Sequence, residues 1–233
     1  MDDRGRWRKG LTVGLLTGML VVHNAQRFGV VPLFDALRER FGTDYAGVGT
    51  LFAAYVLGYA IFQTVIGLVG DCVAPRRLLL IGLGLSALWS ALFAVTTSYS
   101  LALVTRFLLG ATSALLYTPA MTLGITLFPR EERGRVLGTV QTGAGIGMGG
   151  ALVAVPLVAS RAGIAGGFLM LPVVALVLLG LAAAFLPAAQ QQERRPRPAG
   201  SVAMVRRPDF WGLLLTNFTG MLAGYGLLTL LPT

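Results

Sequence analysis

Long apolar runs alternate with short polar turns along almost the whole chain. The runs cover residues 11–34, 46–69, 78–97, 101–128, 136–159, 164–186 and 210–231. A helix needs about 20 such residues to cross the hydrocarbon core of a bilayer, so each run predicts one membrane-spanning helix. The predicted turns are residues 35–44, 67–77, Ser98-Tyr99-Ser100, 129–135 and a short one carrying Arg161. Residues 1–10 place Arg4, Arg6, Arg8 and Lys9 ahead of the first run, as a signal peptide would. That run is too long and shows no small-residue cleavage site, so it reads as an uncleaved first span. From Pro187 the composition turns to Gln, Pro and Arg, which cannot bury a core. The expected organisation is therefore an N-terminal segment 1–10, a six-helix bundle 11–186, a linker 187–209 and a further helix within 210–233.

Composition supports this pattern. The 233 residues are 55% hydrophobic and only 12% charged, about half the charged share of a soluble domain. The net charge of +9 would suggest nucleic acid in a soluble chain. Here the cations sit in the turns. On one predicted side lie fourteen, Arg4, Arg6, Arg8, Lys9, Arg76, Arg77, Arg130, Arg133, Arg135, Arg194, Arg195, Arg197, Arg206 and Arg207; on the other lie three, Arg38, Arg40 and Arg161. That asymmetry predicts a multi-pass protein with a cytoplasmic N-terminus and linker, a bilayer partner and no nucleic acid. The preference for arginine, with lysine only at Lys9, suggests a GC-rich prokaryotic genome and hence a prokaryotic plasma membrane. The single cysteine, Cys72, allows neither an internal disulfide nor a cysteine-based metal site.

Polar residues inside the runs are few. The first run contains His23, Asn24, Gln26 and Arg27, and the fourth contains Arg106. Arg106, Gly110, Ser113 and Tyr117 fall within about 60° on a helical wheel and form one polar face, expected to look into a cavity. No Asp or Glu lies in any run, and the chain has one histidine. An enzyme needing a base beside a nucleophile, or a cluster of ligands, is not expected, and no metal or cofactor is implied. Gly145-x-Gly147-x-x-Gly150 matches a dinucleotide fingerprint only formally, because it follows no strand and no acidic residue comes about 20 positions later. The pairs Gly143/Gly147 and Gly145/Gly149 read instead as small-residue faces for close helix packing.

The stretch Gly67-Leu68-Val69-Gly70-Asp71-Cys72-Val73-Ala74-Pro75-Arg76-Arg77 resembles the signature loop between helices two and three of the major facilitator superfamily, Gly-x-Leu-Ala-Asp-Arg-x-Gly-Arg-Arg. Gly67, Asp71, Pro75, Arg76 and Arg77 match; Cys72 replaces a basic residue, and Ala74 replaces a glycine, which predicts a blunter turn. Arg106-Phe107-Leu108-Leu109-Gly110 is similar to the family's fourth helix, and Pro129, Arg133, Gly134 and Arg135 to the loop after it. The resemblance implies an all-α membrane protein with a six-helix bundle of inverted three-helix repeats. It also implies a linker and the first helix of a second bundle, as in a truncated transporter. Thr17-Gly18-Met19-Leu20 recurs as Thr219-Gly220-Met221-Leu222, as a second half beginning there would require.

By resemblance the function is secondary active transport of a small solute by alternating access, with Gly67, Asp71, Arg76 and Arg77 as the conformational gate and Gly110, Gly143 and Gly147 in helix packing. Arg27 and the Arg106 stretch look like the organic anion symporters, so an anionic substrate is expected against Arg27, Arg106, His23 and Tyr117, with H+ or Na+ as coupling ion. His23 titrates near neutral pH and could carry a proton or only bond a neighbouring helix. Arg106 could equally hold a helix bend through backbone carbonyls. Two alternatives stay open: a drug or metabolite efflux transporter, against which Met148 stands where antiporters of the family carry a proline after Gly147, and a membrane-anchored interaction protein without transport.

Overall fold

The structure is a computed structural model that describes residues 3–69 and 73–187, with Trp211, Gly212, Leu215, Thr216 and Thr219 further on. The chain divides into two compact units, residues 1–190 and 191–233. In the second unit the described residues are helical, and Thr216 and Thr219 hydroxyls donate back to the carbonyls of Gly212 (2.8 Å) and Leu215 (2.7 Å). The linker beyond Pro187, most of the seventh predicted helix and Asp71 lie outside the described residues.

The described part of the first unit is helical apart from short turns. α1 spans Asp3–Phe28, α2 Phe34–Phe41, α3 Tyr45–Val69, α4 Pro75–Val95, α5 Tyr99–Thr126 and α6 Arg130–Phe185, with a 3-10 turn at Val31–Leu33. Four of these, α3 to α6, are long and apolar enough to cross a membrane. α1 falls short because His23, Asn24, Gln26 and Arg27 interrupt its apolar run.

The first helix departs from expectation at both ends. It begins at Asp3, because the arginines and the lysine ahead of the apolar run are good helix formers. It stops at Phe28 instead of running to residue 34. The Gly29 N–H closes the last turn on Ala25 O (2.8 Å), and Pro32, which has no N–H to give, initiates the 3-10 turn. The predicted turn 35–44 holds the short helix α2. Asp35 sits in its first turn and Arg38 and Arg40 in its last, each with the sign its helix pole favours. Gly42 at φ 60° ends it, its N–H bonding Glu39 O (3.3 Å), while the Thr43 N–H reaches Arg38 O (3.1 Å).

At the start of α4, Ala74 takes φ −57° and ψ 127°, an ordinary extended conformation, so no glycine is required there; Pro75 follows in the first turn. α6 has 56 residues, about 84 Å if straight, against a hydrocarbon core of about 30 Å. It doubles back at Gly163, whose φ 74° and ψ 169° are open to glycine alone. A methyl placed on Gly167 would lie 2.8 Å from Val155 O and 2.9 Å from Ala159 Cβ, so residues on either side of the bend face each other. The fifth and sixth predicted spans are the two arms of this hairpin.

Packing fixes the directions. Gly143 lies against Thr17, Gly147 against Val21, and Gly29 against Val155, a constant offset that makes α1 parallel to the first arm of α6. Trp7 meets Phe185, Gly18 meets Leu178 and Gly29 meets Leu171, so the second arm is antiparallel. Two apolar cores result. One gathers Leu16, Met19, Leu20, Leu83, Leu116 and Val140; the other gathers Val30, Leu37, Leu51, Phe93, Val155 and Phe168. Along α1 they are separated by residues 23–27, a band that holds His23, Asn24, Gln26 and Arg27 with Arg106 against it.

Candidate functional site

The band is built by helical periodicity. On α1, His23 and Arg27 are one turn apart and share a face, with Gln26 beside them. α3 adds Tyr55, Tyr59 and Gln63 at four-residue steps and α5 adds Arg106, Ser113, Tyr117 and Thr118, a polar line that runs from the band toward the first core, where Gln141 of the first arm of α6 bonds Tyr117.

Arg106 is 1% exposed and heads the fully buried side chains by size among the described residues. Its Nη1 donates to Gln26 O (2.9 Å), its Nη2 to Arg27 O (3.2 Å) and its Nε to Leu51 O (3.4 Å). The guanidinium also lies over the rings of Tyr55 (4.9 Å) and Phe93 (5.3 Å). The first two acceptors belong to the last turn of α1, where the chain leaves the helix after Phe28 and carbonyls lose their usual i+4 donors. Arg106 is therefore a remote cap on α1, its charge placed at the negative helix pole.

Tyr55 is fully buried and ties α3 to α1. Its hydroxyl donates to His23 O (3.3 Å) and stands 3.4 Å from His23 Nδ1. Beside it the backbones of α3 and α5 approach closely. A methyl on Gly110 would overlap Tyr55 O, and one on Gly58 would overlap Phe107 O.

His23 is buried at 3% exposure, between two half-buried tyrosines. Its ring centroid is 5.2 Å from that of Tyr59 and 6.3 Å from that of Tyr117. The Tyr117 hydroxyl donates to Gln141 Oε1 (3.4 Å), and Gln63 Nε2 donates to Thr118 Oγ1 (2.5 Å). Arg27 is half-buried, its guanidinium 5.1 Å from the Phe28 ring. The side-chain amide of Gln26 is buried, and neither of its atoms has a hydrogen-bond partner among the described residues.

The structure thus brings His23, Arg27 and Tyr117 into one neighbourhood and places Arg106 beside it, turned into backbone carbonyls. Tyr55, Tyr59, Gln63 and Gln141 were missed in the sequence, although Tyr55, Tyr59 and Gln63 form a polar stripe at i, i+4 and i+8 on an otherwise apolar run. Gly143 and Gly147 lie against the backbone of α1. Of the gate residues, Arg76 donates to Ala183 O (2.7 Å), Arg77 is exposed, and Gly67 has open space where a side chain would be.

Comparison with known proteins adds to this geometry. The family model described as Major Facilitator Superfamily matches residues 16–233. Among curated proteins, the chain is 28% identical to "Probable anion transporter 3, chloroplastic" of Oryza sativa subsp. japonica over 153 residues, 65% of this chain and 30% of that one. It is 32% identical over 115 residues to a protein of Mycobacterium tuberculosis described as an uncharacterized MFS-type transporter, covering 47% of this chain and 20% of that protein. It is 31% identical over 100 residues to the zinc induced facilitator-like 1 protein of Arabidopsis thaliana, covering 43% of this chain and 21% of that protein. The chain thus matches less than a third of the length of each of these relatives.

Proposed function

We propose, from the premise that this chain belongs to the Major Facilitator Superfamily, that it forms part of a secondary transporter moving a small organic anion by alternating access. The observation that carries the reading is Arg27. An arginine at bilayer depth costs about 2.5–3.5 kcal/mol on insertion scales, so it is kept where it meets water, a partner or a substrate. Arg27 is half-buried beside a buried histidine and two half-buried tyrosines drawn from α1, α3 and α5. A guanidinium takes a carboxylate or phosphate through two parallel bonds, and the tyrosine rings offer faces and hydroxyls to an organic body. The rice relative is named as an anion transporter, which agrees with this reading. Arg106 in this account does not touch substrate. It is a positioning residue that fixes the end of α1 and with it the direction of Arg27.

The test is Arg27→Lys in the complete protein, reconstituted in liposomes and offered radiolabelled organic acids. The point charge remains while the planar fork is lost, so kcat/KM for the anion should fall at least tenfold with expression unchanged. Transport of a cation in preference to anions, or wild-type uptake by the lysine variant, would remove the basis for the reading.

A further inference from the structure

We propose that the corner where α1, α4 and the second arm of α6 meet is a binding site for one anionic phospholipid, its phosphate held by Arg8 and Arg76 and its acyl chains laid along α4 and α6. The corner is at the end of the unit that holds Lys9, about 24 Å along α1 from His23. Arg76, in the first turn of α4, donates through Nη2 to Ala183 O (2.7 Å). Trp7 of α1 stands edge-on to Phe185, with ring centroids 6.5 Å apart. Leu186 joins the same core as Leu15 of α1 and Leu79 of α4, so all three elements close on the last turn of α6. Arg8 continues the face of α1 that carries Leu15 and Met19 into this core, and it is exposed. An arginine from α1 and one from α4 thus flank one aromatic pair.

The corner joins the two chemistries that a phospholipid needs. Of the Arg76 donors, Nη2 meets a carbonyl and Nε has no hydrogen-bond partner among the described residues, so the guanidinium keeps N–H groups for a phosphate. Arg77 beside it is exposed and adds to the positive field, while Lys9 is matched by Glu132. Away from the arginines the surface turns apolar. Ile81, Leu85 and Leu88 are exposed at three- and four-residue steps on α4, and Val177, Leu181 and Phe185 at four-residue steps on α6. Gly84 lies against Leu179, which makes the two helices neighbours, and Gly180 has open space where a side chain would be, leaving a gap beside the ridge for an acyl chain. Trp7 and Phe185, 62% and 50% exposed, stand where the arginines give way to these stripes, as aromatic rings do at the headgroup level of a bilayer. A soluble phosphate would meet the arginines alone, and a zwitterionic headgroup would bring an ammonium among cations, so the occupant that satisfies both parts is an anionic phospholipid.

The experiment titrates the complete protein, purified in dodecyl maltoside, with dioleoyl phosphatidylglycerol or dioleoyl phosphatidylcholine, and counts bound lipid by native mass spectrometry. Each arginine beside an anionic headgroup contributes about a fivefold preference, so the first phosphatidylglycerol should bind about twentyfold tighter than phosphatidylcholine. Arg8→Gln and Arg76→Gln should each weaken phosphatidylglycerol about fivefold and leave phosphatidylcholine unchanged, whereas Trp7→Ala should weaken both lipids alike. Arg130→Gln removes an exposed cation of the same end outside the corner and should bind as the wild type does. Because Arg8 is exposed, Arg8→Gln tests the site even if loss of the Arg76 bond to Ala183 unfolds the bundle. Equal affinity for the two lipids, or a loss in Arg130→Gln as large as in Arg8→Gln, overturns the inference, since the charge would then act diffusely. Displacement of the lipid by an equal concentration of glycerol phosphate overturns it as well, since the corner would then take a soluble anion.

Discussion

Arg106 has a guanidinium wholly out of solvent, three carbonyl acceptors on two other helices, and an aromatic ring on each of two more contacts. No acid is needed to hold it, because the carbonyls at the end of α1 supply the negative pole. Lysine cannot reproduce this. Its ammonium is a compact point charge without the planar fork, so it would leave acceptors on α1 unsatisfied in a dry band. Arg106→Lys should therefore destabilise the bundle by about 2–4 kcal/mol, read as an earlier thermal transition of the purified protein in detergent. A variant that melts with the wild type would deny Arg106 its capping role. The sequence left two readings of this arginine open for a physical reason. Choosing between them requires knowing where α1 ends, and the apolar run 11–34 reads straight through Gly29 and Pro32, where the helix stops. Once the helix ends at Phe28, its last carbonyls need a donor, and Arg106 is the side chain within reach.

The same device recurs at the level of helices. Arg40 of α2 donates to Ala94 O (2.8 Å) and Thr96 O (2.6 Å) at the end of α4. Burial there pulls its guanidinium below the ordinary arginine value, and the carbonyls it meets favour the charged form. Arg76 donates to Ala183 O near the end of α6, and Arg133 Nε to Phe128 O just past α5 (3.1 Å). Four helix C-termini are thus each met by a guanidinium from elsewhere in sequence or from the following turn. Between the helices, cohesion inside a bilayer cannot come from expelling water, so close packing has to supply it. The first arm of α6 carries two interleaved glycine pairs that its sequence alone cannot rank, since both have the same spacing. Gly143 and Gly147 lie against Thr17 and Val21 of α1, where an added methyl would overlap carbonyl oxygens, whereas Gly145 and Gly149 have open space. Gly143→Ala should cost about 1–3 kcal/mol in stability, while Gly145→Ala should be neutral or gain up to about 1 kcal/mol from reduced chain entropy. Thermal unfolding of the pair in one detergent checks both, and an equal loss in the two would contradict the packing described here. Helix existence and the hairpin near Arg161 were legible from periodicity and turn residues, whereas which small face is used depends on neighbours remote in sequence.

At the scale of the whole first unit, the helix ends sort the charges. One end collects Lys9, whose ammonium bonds both carboxylate oxygens of Glu132 at 2.9 Å, together with Arg76 on Ala183 and Trp7 on Phe185. Arg8, Arg77, Arg130, Arg133 and Arg135 belong to the same helix ends. The opposite end holds Arg40 against Ala94 and Thr96, Tyr99 bonded to Gly47 O and Thr50, and the Gly163 bend that follows Arg161. Three arginines, Arg38, Arg40 and Arg161, serve that end, and Arg40 is spent on a helix cap. Short loops rich in Arg and Lys are retained on the cytoplasmic side during insertion, so the end with Lys9 and Arg76 is expected inside. Cys72 being the single cysteine, a Cys72→Ser background allows one reporter thiol at a time. Ser98 and Glu131 are both exposed at turns of opposite ends, so their labelling depends on sidedness and not on burial. In intact cells Ser98→Cys should react with a membrane-impermeant maleimide, and Glu131→Cys should react only after the cells are opened. Labelling of both from outside would break the alternation of spans, and the reverse pattern would invert the bundle while leaving its packing as described.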